Sequence, residues 1–94
     1  MEELIEDKLH KIGEYLYEEM YPAKVHHQEI QPALPVYVFI IETAKQQHRL
    51  EVCRPLIEDQ NISVSKVEAL MISHDLAQQI QRFDRSVYRW TPIV

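Results

Sequence analysis

Pro35-Val-Tyr-Val-Phe-Ile-Ile-Glu-Thr43 is the stretch that decides the fold. From Val36 to Ile41 every residue is β-branched or aromatic, which is the composition of a strand half buried on a pleated surface. Successive side chains alternate faces, so Val36, Val38 and Ile40 project one way while Tyr37, Phe39 and Ile41 project the other. Neither face is polar. An antiparallel sheet in a small domain normally shows water one side, so a strand that is apolar on both sides needs two covers. Burying one Phe or Ile contributes about 1.5–3 kcal/mol, a sizeable share of a small domain's stability. The three covers to weigh are helices split between the faces, a C-terminal arm folded across, and a second chain docked by two-fold symmetry. A second copy docked on Tyr37, Phe39 and Ile41 is the expectation carried forward.

On the C-terminal side, His48-Arg-Leu-Glu-Val-Cys-Arg54 alternates polar with apolar and pairs with the first strand across a loop at Ala44–Gln47. That loop lacks the Asn-Gly type of dipeptide, which points to four residues or more rather than a two-residue turn. On the N-terminal side, residues 24–31 read as a short edge strand lying between prolines. Earlier still, Ile5, Leu9, Ile12, Leu16 and Met20 recur at steps of four, three, four and four, one stripe of a helix over residues 2–21 that Pro22 stops. Gly13 lies beside that stripe, a position that permits close packing. Early acids favour the first turn through the helix dipole.

Residues 55–64 read as a connecting loop. Ser65-Lys-Val-Glu68 then has the spacing of a capping box, and Ala69, Ile72, Leu76, Ile80 and Phe83 form an apolar stripe on a helix running to about Asp84. A competing reading makes residues 67–73 a strand followed by a helix capped at Asp75. It rests on Leu70-Met-Ile-Ser-His-Asp-Leu76 with Asp84-Arg85, which resembles the switch-histidine segment of ABC-type ATPases, where a strand ends in His-Asp and a helix follows. Residues 86–94 read as a short strand or an extended arm. The sum is a single α+β domain over residues 1–94: helix, antiparallel three-stranded (or two-stranded) meander, helix, and a short C-terminal strand or arm. That order is similar to the order in double-stranded-RNA-binding domains, but only Lys66 stands where those domains cluster lysines to meet phosphates.

Composition narrows the function classes. Hydrophobic residues at 46% and charged residues at 27% are those of a chain that folds. The one glycine, Gly13, excludes glycine-built phosphate cradles, and with them a nucleotide cofactor bound in the usual loops. The one cysteine, Cys53, cannot form an internal disulfide, and no apolar stretch approaches the ~20 residues of a membrane span. A cytoplasmic protein that neither enters membranes nor needs a cofactor is the expectation. The net charge of −5 is concentrated at one end: residues 1–22 hold seven acids and two lysines, and the remainder sums to zero. An acidic first helix repels nucleic acid and anionic membrane.

No catalytic constellation survives a check of spacing. The five histidines, His10, His26, His27, His48 and His74, include no pair three or four apart on a helix, so the sequence assigns no metal ligands. Ser73, His74 and Asp75 are adjacent and cannot pass a proton along one line. Glu42, Lys45 and Glu51 resemble the two acids and lysine of metal-dependent nucleases, yet the acid-spacer-lysine step is missing. Arg82, Arg85 and Arg89, interleaved with Phe83, Tyr88 and Trp90, form the one basic and aromatic cluster. Such a cluster serves a partner surface, or simply complements a helix C-terminus while Trp90 anchors the tail. The expectation is a non-enzymatic protein-interaction or regulatory protein that self-associates as a homodimer, with Tyr37, Phe39, Ile41, Arg82, Arg85, Arg89 and Trp90 as its partner-binding residues. The alternatives are a metal-dependent, nuclease-like hydrolase, or a nucleic-acid-associated protein using the arginines.

Overall fold

The computed structural model describes residues 2–27, 35–82 and 86–92. The first helix, α1, spans Glu2–Glu19 and buries Leu9, Ile12 and Leu16 of the stripe its spacing predicts, with Ile5 partly buried and Met20 buried just past its end. The chain turns through Tyr21–Pro22, a cis peptide, into β1 (Lys24–His27). The rest of the predicted edge strand, 28–31, lies outside the described residues. Two central strands follow, β2 (Val36–Glu42) and β3 (Gln47–Cys53). They are antiparallel, with Phe39 opposite Leu50 and Ile41 opposite His48. Thr43 ties the turn between them: its Oγ1 donates to the Gln46 carbonyl at 2.9 Å and accepts from the amides of Lys45 and Gln46.

After β3 the structure departs from the sequence reading in four places. Residues 54–58 form a short helix, α2 (Arg54–Glu58), where a loop was expected. Pro55 sits in its first turn, where the missing amide costs nothing, and Leu56 and Ile57 are fully buried. The next helix, α3 (Val64–Ser73), is capped by Ser63 rather than Ser65; the Ser63 hydroxyl accepts from the Lys66 amide at 3.1 Å. With Lys66 in place of an acid at the third position, no reciprocal capping-box bond forms. The predicted stripe is buried at Leu76 and Ile80 but not at Ala69 and Ile72: Ile72 is 64% exposed, and Val67, Leu70 and Met71 face the core instead.

Nor is the segment one helix. Asp75 takes a left-handed conformation, φ 51°, which ends α3 and lets α4 (Leu76–Arg82) start in a new direction. Leu76, Ala77 and Ile80 are then the buried side chains. The strand alternative for residues 67–73 is overturned, although the break at His74–Asp75 falls where that reading put it. Phe83 lies outside the described residues.

The tail forms β4 (Val87–Trp90), which runs parallel to β3 with Leu50 opposite Tyr88 and Val52 opposite Trp90. A parallel partner requires a crossover, and the three short helices supply it. The sheet order is therefore β1-β2-β3-β4, a mixed sheet. None of the described helices is long and apolar enough to cross a membrane.

All four helices pack on one face of the sheet. Tyr37, Phe39 and Ile41 join Leu50, Val52 and Trp90 in a single cluster with the helical side chains of α1 to α4. On the opposite face Val38 and Ile40 are also buried, outside that cluster, with Glu51 and Arg49 as their partners across β3. The two-faced strand thus finds both its covers within one chain.

Candidate functional site

The residues singled out for partner binding do not form one surface. Tyr37, Phe39 and Ile41 are 5%, 1% and 0% exposed beneath the chain's own helices, which corrects the expectation that a second copy docks there. A helical lid already occupies that face. Trp90 is likewise in the core, its indole Nε1 donating to His74 Nδ1 at 3.3 Å. It anchors β4 rather than presenting a hot spot. Arg82 stands exposed in the last turn of α4, and Arg85 lies outside the described residues. Arg89 is exposed on the outer sheet face, where its Nε and Nη2 each lie 3.0 Å from Glu51 Oε1.

Arg49 Nε donates to the other oxygen of Glu51, Oε2, also at 3.0 Å. Burial pushes the Glu51 carboxyl up, but the hydrogen bonds and charges of Arg89 and Arg49 outweigh it, and the group titrates below the usual carboxylate range. Both its oxygens are therefore committed to guanidiniums. Of the nuclease-like set, Glu51 is spent in this way and Glu42 is exposed at the end of β2. Among the described residues no three His, Cys, Asp or Glu side chains gather closely enough to hold a metal.

Two adjoining cavities lie along α1. The two flanks of that helix have different neighbours. Lys8, Lys11 and Tyr15 face the other helices. Lys8 is fully buried, and its ammonium donates to the carbonyls of Leu56, Ile57 and Asp59 at 2.9, 3.1 and 2.9 Å, closing the C-terminal end of α2. Burial lowers the Lys8 pKa, an effect the Asp59 carboxylate opposes. Lys11 reaches Glu68 of α3 at 3.3 Å. The Tyr15 hydroxyl bridges α3 and α4, donating to the Met71 carbonyl and accepting from the Ala77 amide.

The other flank carries Glu6, His10, Gly13 and Tyr17, at steps of four, three and four. These lie on the side of α1 that meets β1. A Cβ built on Gly13 meets no atom within 4 Å, so the glycine serves no close packing and the expectation of it is corrected. Two clefts lie along this flank and share Leu9, His10 and His27 in their walls. The smaller, about 350 Å³, lies beside Gly13, Glu14 and Tyr17 and is floored by Val25 and Phe39. The larger, about 670 Å³, extends toward the start of α1 and is closed by Tyr37, Arg54 and Glu58. Together they make a groove about 18 Å long, judged from the helical rise between Ile5 and Tyr17.

The closed end is ordered by hydrogen bonds. Glu58 Oε2 accepts from the Tyr37 hydroxyl at 2.8 Å and from Arg54 Nε at 3.1 Å, and the Arg54 guanidinium lies 5.4 Å from the centre of the Tyr37 ring. Burial and the Glu58 carboxylate both raise the Tyr37 pKa, so the phenol stays a donor. The carboxylate is pushed up by burial but held below its ordinary range by the bonds from Tyr37 and Arg54 and by the Arg54 charge. Along the other rim, Tyr17 and Tyr21 stack edge to face at 5.9 Å, both largely exposed.

The floor of the groove ends in a sheet edge. β1 pairs only with β2, so its outer side has no neighbouring strand among the described residues. The stripe Glu6, His10, Gly13, Tyr17 was present in the sequence as a second period beside the core stripe, and Arg54 with Glu58 had the spacing of a helical ion pair. Neither could be read as a site without knowing that β1 lies under that flank. Comparison of the chain with protein-family models, with curated proteins and with solved structures finds no match, so its function has to be read from its own residues.

Proposed function

We propose that the protein is a non-enzymatic binding module that receives an extended segment of a partner protein in the groove between α1 and β1. One observation carries the reading: a helix flank that stands over β1, a strand with no second neighbouring strand among the described residues, with two clefts between them. An extended segment adding to β1 would satisfy the edge's backbone groups and turn alternate side chains into the groove, the general mode of strand addition beside a helix. About 18 Å of groove accommodates five or six residues at ~3.3 Å each. The apolar floor of Val25 and Phe39 supports contact area, and the polar end at Tyr37, Arg54 and Glu58 supports orientation.

Selection from a displayed library of random peptides of about ten residues, with the intact protein immobilised, tests the proposal. Peptides that bind are expected to lose binding when Gly13→Trp fills the groove, provided the variant keeps the far-ultraviolet circular dichroism and cooperative melting of the parent. Tyr17→Ala, at a rim position half exposed, serves as a second variant that removes contact area without touching the core. Peptides that bind both variants as well as the parent would overturn the reading.

A further inference from the structure

We infer that β4 is latched to the junction of α3 and α4 by a proton-sensitive bond between Trp90 and His74, and that protonation of His74 releases the strand. The latch lies at the opposite edge of the sheet from the groove and stands whether or not the groove takes a segment. Trp90 is the chain's one tryptophan and is 3% exposed, and its indole Nε1 donates to His74 Nδ1 at 3.3 Å. An indole nitrogen only donates, so Nδ1 has to be the acceptor and the neutral imidazole carries its proton on Nε2. The two rings meet edge to face, with 6.3 Å between centres and 89° between planes. His74 caps the C-terminal end of α3 at an exposed position, beside a cleft of about 380 Å³ that it lines with Tyr88, Arg89 and Trp90, so protons from solvent reach it.

Protonation and the latch exclude each other. An imidazolium carries N–H on both nitrogens, so a proton taken from water at Nδ1 sets two donors face to face and leaves a buried indole N–H without its acceptor. The surroundings draw the cation away from the indole. The C-terminal end of α3 attracts positive charge, as does the carboxylate of Asp75, the next residue. Asp75 also acts on the Tyr15 hydroxyl that α1 sends into this junction, together with Glu19. β4 offers the cation no carboxylate: it brings Tyr88 and Arg89 to the cleft, and the Arg89 guanidinium is engaged by Glu51. α4 begins with neutral residues, its one cation being Arg82 in the last turn. β4 spans four residues at the end of the sheet, so it belongs to the part of a fold that opens most easily. A second tie, from Arg89 to Glu51, does not titrate in the same range, because Glu51 is held below the usual carboxylate values and stays ionised down to about pH 5.

Histidine is the side chain whose charge ordinarily changes between about pH 5 and 8, which sets the window of the test. The single tryptophan makes fluorescence a direct reading of the latch. From about pH 8 to 5 the parent is expected to show a one-proton change in emission. Hydrogen-exchange protection at the β4 amides should fall about tenfold over the same range, once the intrinsic pH dependence of exchange is removed. His74→Gln offers an amide oxygen as acceptor at this exposed position and takes up no proton, so both changes should disappear in it. The indole proton resonance of the parent, followed over the same range, reports the bond without any substitution and should move in step with the His74 ring. An emission change that persists in His74→Gln, an indole resonance that follows another histidine, or a parent whose emission stays flat would overturn the latch. Emission that titrates while β4 keeps its protection would overturn the release of the strand.

Discussion

The two flanks of α1 are built from the same eighteen-residue helix and meet opposite fates. On one, Lys8, Lys11 and Tyr15 each reach a partner on another helix, and the Lys8 ammonium alone closes three carbonyls. On the other, Glu6, His10, Gly13 and Tyr17 line two clefts beside β1, and a Cβ built on Gly13 meets nothing. A flank that stabilises the fold shows its use as hydrogen bonds and burial. A flank that stands free of the fold's own needs is where a binding role can be carried without cost to stability. The contrast is quantitative, since substitutions on the two flanks should differ in size and even in sign.

The largest effect is expected from Lys8→Met. Methionine keeps an unbranched apolar stem but abandons three carbonyl acceptors at the end of α2, two of them buried, which should cost about 2–3 kcal/mol. A urea denaturation series gives the value directly, and a loss below about 0.5 kcal/mol would show that α2 does not depend on the capture of its carbonyls. Tyr15→Phe comes next. It leaves the ring in place and removes only the hydroxyl that joins the Met71 carbonyl to the Ala77 amide, for an expected loss of about 1–2 kcal/mol by the same measurement. A neutral outcome would mean that the break between α3 and α4 is held by Asp75 and packing alone.

The outer sheet face offers a third surface for the comparison. Glu51 has a folded-state pKa below its unfolded value, so its ion pairs stabilise the protein above the unfolded carboxylate range and lose that contribution as pH falls through the folded value. Glu51→Gln should cost about 1 kcal/mol at neutral pH, the exposed Arg89 limiting the gain. Below the folded-state pKa of Glu51 the difference between variant and parent should vanish. Denaturation midpoints measured from neutral to strongly acid pH check this, and a difference that persists in strong acid would place the cost in packing rather than charge.

How much of this was legible beforehand depends on the distance over which each feature is determined. The core stripe of α1 and the two apolar strands were readable because a local period fixes which side chains are buried. The second helical region was misread because Val67, Leu70 and Met71 form a second apolar stripe beside Ala69 and Ile72, and the break at Asp75 lets α3 and α4 bury different faces. Ile72, placed on a stripe continuous with Leu76 and Ile80, is 64% exposed. The apolar pattern of β2 was read correctly, but its consequence was not, since nothing local says that Tyr37, Phe39 and Ile41 would be met by α1 and the crossover helices. The groove was the least legible of all. Its walls come from four elements, and what defines it is a place where packing stops, which a sequence pattern does not mark.

The smallest effect is the most discriminating, because it reverses sign. Gly13 lies in mid-helix, where glycine costs about 0.5–1 kcal/mol relative to alanine through backbone entropy in the unfolded chain. A methyl group there touches nothing. Gly13→Ala should therefore stabilise the protein by up to about 1 kcal/mol, in contrast to the losses at Lys8 and Tyr15. If the gain appears, the glycine is kept at the expense of stability, and the space it leaves beside His10 and Tyr17 is worth more to the protein than a firmer helix. That space narrows as the residue grows, so binding of groove-dependent peptides should weaken in the order glycine, alanine, tryptophan while helix stability first rises. Should alanine destabilise the fold, as measured by the urea midpoint, the flank is packed more tightly than it looks and the groove closes in solution.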